Sequence, residues 1–387
     1  MCSKRRIENN DSSFKHKRAK EDYIGTRDTS FDTRNHRYFD KNFPFFRQPV
    51  EIGSFSLDIN RKFEHSRKQL KYYVKPSDLN RVHFNLCEGY STMIRKDETV
   101  KESINYMYIL SWISENMEKF AIKGENEETK RQLNTDFVCW RGLYTKFLCT
   151  PYENREGWLV AVTLYNGTYY LCEFETEQKK QQNASRTKRD DEMCCWGWKF
   201  EQYLTADSPT GVPDTESPYN NCEAFCTVVR SRLNSHSLVY SGEVDAVYTD
   251  DVYGKHYIEL KTSRDFSHPR QYVNFKRFKL IKWWAQSFLV GIPEIVCGYR
   301  DDDGIVHRLE SFSTKKLPEI AKDISNPWKA NVCFNFLDQL LSFIKSTVKI
   351  DDHRTVHLLQ WSPGEPVWCS KPLNDSEYNF LPDWYTK

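Results

Sequence analysis

The sequence predicts a mixed-sheet α/β protein, one large domain behind a short tail. Short apolar runs bounded by turn residues alternate with stretches of helical spacing. No internal repeat appears, and no Gly/Ser/Pro-rich linker divides residues 40–387. Residues 158–175 read as a hairpin, because Trp158 to Tyr165 and Thr168 to Phe174 flank Asn166-Gly167, a preferred pair for a type I′ turn. Residues 238–248 and 256–262 read as strands separated by Asp250-Asp251 and Gly254. Helical spacing runs through 95–120 (Val100, Ile104, Met107, Tyr108, Trp112), through 274–290 (Phe278, Ile281, Ala285, Phe288, Leu289) and through 332–347. It also marks 221–233, at Ala224, Phe225, Val228 and Val229, whereas 175–192 reads as a polar loop. Twisted mixed sheets flanked by helices follow.

Residues 1–36 carry few large apolar side chains and read as a disordered basic tail. Lys4-Arg5-Arg6 and the later Lys15, Lys17, Arg18 and Lys20 fit a two-part nuclear import signal as well as a solvated basic tail. The expected location is the nucleus, with the cytoplasm open.

The net charge of +2 gives no global basic field, so any phosphate-binding surface must be local. No run of 18 apolar residues exists, so no membrane span is expected. The polar, basic N-terminus does not read as a secretory signal, and the 12 Cys are therefore expected as reduced thiols. Paired CxxC motifs are absent, as is HExxH, so neither a zinc site nor His-based catalysis is expected.

The most informative stretch runs Ser241-Gly242-Glu243-Val244-Asp245-Ala246-Val247-Tyr248 and then Tyr257-Ile258-Glu259-Leu260-Lys261-Thr262-Ser263. In strands, side chains alternate with period two. Glu243 and Asp245 then share one face, Glu259 and Lys261 share another, and the short connection at about 250–255 makes the strands neighbours. Glu-x-Lys alone is common by chance, and an alternating strand with a solvated charged face explains either half. Both halves side by side, in apolar strands, favour a metal site, because crowded carboxylates are costly without a cation. Mg²⁺ prefers carboxylate, water and phosphate oxygens. The Asp…Glu-x-Lys layout is the restriction-endonuclease-like pattern, whose sites hydrolyse phosphodiesters.

Several further blocks lie in order along the chain. They are Ser54-Phe55-Ser56-Leu57-Asp58 running to Arg61, Trp140-Arg141-Gly142 with Thr145-Lys146, Gly197-Trp198-Lys199-Phe200-Glu201, Ala224-Phe225-Cys226, and Trp283-Trp284-Ala285-Gln286-Ser287-Phe288-Leu289. With the two carboxylate segments, they resemble the decapping exoribonuclease (DXO) family over roughly residues 44 to 385. The resemblance implies a nuclease domain over 37–387. It implies that Glu201, Asp245 and Glu259 ligate metal, with the Leu260 carbonyl as a further ligand and Glu243 joining through metal or substrate. Lys261 and Gln286 would position the scissile phosphate and attacking water, and Arg141 would hold a 5′ phosphate. Arg61, Glu102, Trp140, Gly142 and Cys226 match positions lining the family's substrate pocket.

Taken bare, an arginine at 141 caps a helix or pairs with an acid, Gln286 is an exposed helix residue, and Cys226 is a small buried hydrophobe. Trp283 and Trp284 are expected as packing. The element carrying Glu201 stays open between strand and helix. Lys279, Lys282 and Gln286 fall on one helical face that could look toward phosphate.

Glu201, Glu243, Asp245 and Glu259 sum to −4, which two Mg²⁺ or Mn²⁺ ions would neutralise, leaving Arg141 and Lys261 for substrate. The implied activities are removal of incomplete or atypical caps (NAD caps included), pyrophosphate release from 5′-triphosphate RNA and 5′-to-3′ exoribonuclease cleavage. The implied substrate is RNA with a free, triphosphorylated or aberrantly capped 5′ end. A larger 5′-to-3′ exonuclease is a partner of the family's fungal members and stays open here. Two alternatives stand: a DNA endonuclease of the same metal chemistry, and a catalytically silent RNA-binding or scaffold relative.

Overall fold

A computed structural model describes residues 27–97, 102–121, 132–374 and 376–387, with the side chains of 102–105 excepted. Among the described residues two mixed sheets, of eleven and seven strands, form the frame. The larger runs from Arg27–Phe31 at one edge to Phe63–Glu64 near the other, and its middle contains the parallel pair Phe137–Trp140 and His236–Glu243. The smaller centres on Gly254–Arg264, which pairs antiparallel with Ala246–Asp250 and parallel with Glu294–Arg300. The helices Arg141–Cys149, Leu280–Leu289 and Ala330–Thr347 fill the space between the sheets in the largest apolar core. Helix Glu102–Ser114 covers the other face of the large sheet, and Lys188–Leu204 covers that of the small one. Among the described residues no helix is long and apolar enough to cross a membrane.

The 158–175 hairpin forms as expected. Asn166 and Gly167 both have positive φ, at 49° and 76°, and Asp351 Oδ1 and Oδ2 accept their N–H groups at 2.8 Å. The strands at 238–248 and 256–262 also form, but the first is broken. Its chain leaves the large sheet at Glu243 and enters the small one at Ala246. Glu243 and Asp245 therefore sit on either side of a seam between sheets rather than on one strand face.

Four expectations need correction. Ala224–Leu233 is a strand, not a helix, lying between His236–Glu243 and Phe46–Leu57. Most of its side chains on both faces are buried, so the period-two signal is erased and a dense apolar run mimics helical spacing. The stretch 175–192 is not a loop: it contains helix Glu177–Ala184 and the start of Lys188–Leu204. Thr176 caps the first, and Thr187 with Asp190 forms a capping box on the second. Their polar residues are solvated helix faces.

Residues 27–31 do not belong to a disordered tail, because Arg27–Phe31 pairs with Val367–Ser370 and Phe31 packs against Phe39, Phe336 and Phe343. The basic clusters at 4–6 and 15–20 lie outside the described residues. Last, the helix expected at 274–290 starts at Pro269 and carries a π-helical turn over Phe275–Lys279. Ile281, Ala285 and Leu289 are buried as expected, but the π turn alters the spacing before them, so Phe275 is buried while Phe278 meets the Arg155 guanidinium instead. Trp283 and Trp284 are packing residues, as expected.

Candidate active site

The site forms where the sheets converge. Glu201 occupies the last turn of helix Lys188–Leu204. That helix lies tightly on Glu294–Arg300, since a Cβ at Gly298 would clash with the Phe200 ring. The same helix settles the element left open for Glu201. Glu243 ends its strand directly opposite Cys226. Asp245 stands in the crossing between sheets, where its Oδ2 accepts from Leu260 N at 2.7 Å.

Glu259 is fully buried. One of its oxygens, Oε1, accepts from both Lys261 Nζ and Gln286 Nε2. The other, Oε2, lies 3.7 Å from Arg141 Nη1 and has no hydrogen-bond partner among the described residues. Arg141 opens its helix and is itself buried, and its Nε and Nη1 are likewise without partners. It sits where it does because residue 242 is glycine: a Cβ there would stand 3.0 Å from Arg141 Cδ and Nε. Lys282 does not join this polar face, because Glu153 holds its ammonium at 3.0 Å.

Two adjoining cavities share Glu243. One, of about 280 Å³, is lined by Arg61, Trp140, Arg141, Gly142, Cys226 and Glu243 among others. The other, of about 240 Å³, is lined by Glu201, Asp245 and Glu243 among others. Arg61 is presented by a tight turn in which Asp58 Oδ1 accepts from Asn60 N and Lys62 N at 2.9 and 2.8 Å. Its backbone is left-handed (φ 61°), a strained state for a non-glycine residue, and its Nη1 donates to Cys222 O at 3.0 Å. Glu102 begins its helix, but its side chain lies outside the described residues. Sequence reasoning gave no role to Glu173, at the first cavity's wall and paired with Lys146, nor to the spacing function of Gly242. Neither carries a spacing motif of its own.

The electrostatics are those of an anion cluster short of positive charge. Burial pushes Glu201 well above the usual carboxylate range, and Asp245 and Glu243 push it further. Asp245 is raised to about 7 by burial and by Glu259, against the opposing pull of Lys261 and the Leu260 N–H. Glu243 is open to water on one side and enclosed on the others. That enclosure raises its carboxyl, while Arg61 and Arg141 oppose the rise. Burial works against the Lys261 ammonium, but Glu259 and Asp245 more than offset it. The Cys226 thiol is pushed up by burial, which leaves it inert. The unpartnered, buried Glu259 Oε2 and the mutual repulsion of the acids are what a divalent-cation site requires.

The model of the RAI1-like PD-(D/E)XK nucleases matches residues 47–386. The chain belongs to this family. A decapping and exoribonuclease protein of Xenopus laevis is 42% identical over 361 residues, 90% of this chain and 88% of that protein. The human protein of the same description is 42% identical over 350 residues, covering 89% and 86%. Candida albicans Rai1 in complex with pU5-Mn²⁺ aligns over 94% of this chain and 98% of that one, with TM-score 0.76 and 22% identity. As a RAI1-like PD-(D/E)XK member the chain is a hydrolytic nuclease dependent on a divalent metal, and the expected mixed α/β class holds. Membership argues against the silent scaffold relative.

Proposed function

We propose that this nuclease acts at the 5′ end of RNA. It removes incomplete or atypical caps, NAD caps included, releases pyrophosphate from 5′-triphosphate ends, and degrades 5′-monophosphate RNA in the 5′-to-3′ direction. The observation that carries this reading is the pair of cavities meeting at Glu243, one with Arg61 and Arg141 on its wall, the other with Glu201 and Asp245. A terminal phosphate seats against the arginines, whose guanidinium forks match its oxygens. The next phosphate bond then lies beside the carboxylates. The relatives named for decapping and exoribonuclease activity support the same reading.

Mg²⁺ or Mn²⁺, when bound by Glu201, Asp245, Glu259 and the Leu260 carbonyl, supplies water activation and stabilises the leaving oxygen; the charge count favours two ions. Lys261 and Gln286 fix the Glu259 carboxylate from one side, keeping its second oxygen turned toward Arg141. Both also position the scissile phosphate and the attacking water. Glu243, between the cavities, contacts metal or substrate, while Trp140, Gly142 and Cys226 line the pocket; a place for Glu102 beside them rests on the family resemblance alone. Nuclear localisation rests on the basic clusters of the tail, and a larger exonuclease partner on the family's fungal members.

RNAs differing only in the 5′ group (triphosphate, monophosphate, unmethylated cap, methylated cap, NAD), with identification of the released fragment, test the substrate range. Circular single-stranded RNA tests end dependence: the circle survives while its linear form is degraded. A cleaved circle, or an equally cleaved DNA circle, would point instead to an endonuclease.

A further inference from the structure

The turn joining the strands that follow Asp245 and carry Glu259 holds a second group of side chains. Asp250 ends strand Ala246–Asp250, His256 lies near the start of Gly254–Arg264, and Glu294 opens the neighbouring Glu294–Arg300. One donor atom from each falls within 4.8 Å of the other two. The His256 side chain is 7% exposed, with Nε2 3.5 Å from Glu294 Oε2, and that nitrogen is buried without a hydrogen-bond partner among the described residues. The other ring nitrogen, Nδ1, lies 3.0 Å from Gly254 O. A carbonyl only accepts, so Nδ1 carries a hydrogen and Nε2 is the ring nitrogen that faces the two carboxylates. Asp250 is fixed in turn, its Oδ1 accepting from Val252 N at 3.0 Å and Tyr253 N at 2.7 Å.

A buried ring nitrogen with no hydrogen bond beside two carboxylates is costly to leave so, and a cation between them would satisfy all three. We propose that Asp250, His256 and Glu294 bind one transition-metal dication of the zinc class. One imidazole with two carboxylates suits such an ion, whereas Mg²⁺ and Ca²⁺ favour all-oxygen shells. The Gly254 carbonyl plays the orienting part that outer-sphere partners of metal-bound histidines play. The site is separate from the hydrolytic one. By strand parity His256 lies on the face of Ile258 and Leu260, opposite Glu259, and three residues along a strand span about 10 Å. A metal there clasps three strands at one end, two of them next to or carrying the acids of the hydrolytic site. No spacing motif announces it, because its members come together only when the small sheet forms.

The test is zinc titration by calorimetry on chelator-stripped protein carrying Asp245→Asn and Glu259→Gln, which disable the hydrolytic site. The expected result is one Zn²⁺ per chain and a higher melting temperature with Zn²⁺. Adding His256→Ala, or separately Glu294→Gln, weakens binding by more than about 100-fold, beyond the 10–100-fold that loss of an outer-sphere partner costs. Glu294→Gln keeps the side-chain shape, and circular dichroism checks its fold, so a His256→Ala variant that misfolds does not leave the question open. No zinc uptake by the double variant overturns the proposal, the group then being an imidazolium–carboxylate pair only. Uptake that survives both further substitutions overturns it equally.

Discussion

Gly242→Ala is the substitution whose effect the structure defines most narrowly. The added Cβ would stand 3.0 Å from Arg141 Cδ and Nε and 3.1 Å from its Cβ. Carbon–carbon contacts settle near ~3.5–4.0 Å, so the arginine arm must withdraw by about 0.5–1 Å. Overpacking costs about 1–3 kcal/mol in closed cores, and the cost here falls at the low end because Arg141 borders a cavity into which it can move. Catalysis suffers more. A displacement of ~1 Å in a positioning group costs about 10²-fold, or ~2.7 kcal/mol of barrier. The assay compares kcat/KM on RNAs of one sequence bearing a 5′ monophosphate or a 5′ hydroxyl. The expected outcome is a loss of about 100-fold on the phosphorylated RNA, little loss on the hydroxyl RNA, and unchanged manganese affinity. Full retention of the phosphate preference would refute the argument that the glycine places Arg141. An equal loss on both substrates with a lower melting temperature would show that it serves only the fold.

Asp245→Asn together with Glu259→Gln lowers hydrolysis by more than about 10³-fold in Mg²⁺ or Mn²⁺, as judged by single-turnover cleavage, because several kcal/mol of charge stabilisation goes with the metal; unchanged cleavage would remove these residues from the chemistry. Metal-free protein has a pH dependence of definite sign at Asp245. Its folded carboxyl titrates at about 7 against an ordinary 3.8, so the folded state holds the proton more tightly. The stability this provides is complete below pH ~4 and lost as pH rises through ~7. Relative to Asp245→Asn, metal-free wild type therefore melts at a similar temperature near pH 4 and at a lower one at pH 8. Mn²⁺ reverses the order at pH 8, since it takes the place of the proton. Calorimetric melting showing wild type the more stable at pH 8 without metal would contradict the crowding of acids.

Part of the site was legible because Glu243 and Glu259 sit in short apolar strands, where a charge with no core role stands out. Glu259 and Lys261 share a strand face as period two requires, and their side chains meet. Glu243 and Asp245 reach one cleft by a different route, across the seam between sheets, so the alternation rule gave the right neighbours for the wrong local reason. Arg61, Arg141 and Glu201 could be grouped only by family likeness, because no periodicity links residues so far apart in the chain. Ala224–Leu233 was misread because a strand buried on both faces has no alternation to show. The inward place expected for Phe278 was missed because the π-helical turn over Phe275–Lys279 alters the spacing there, whereas Ile281, Ala285 and Leu289 are buried as expected. Burial on both sides and a single inserted residue are properties of the assembled molecule that local pattern cannot carry.

The most direct measurement is anomalous scattering from crystals soaked in Mn²⁺. The account predicts manganese held jointly by the carboxylates of Glu201, Asp245 and Glu259, with Arg141 facing the same space. Those three side chains lying apart with no manganese among them would contradict it.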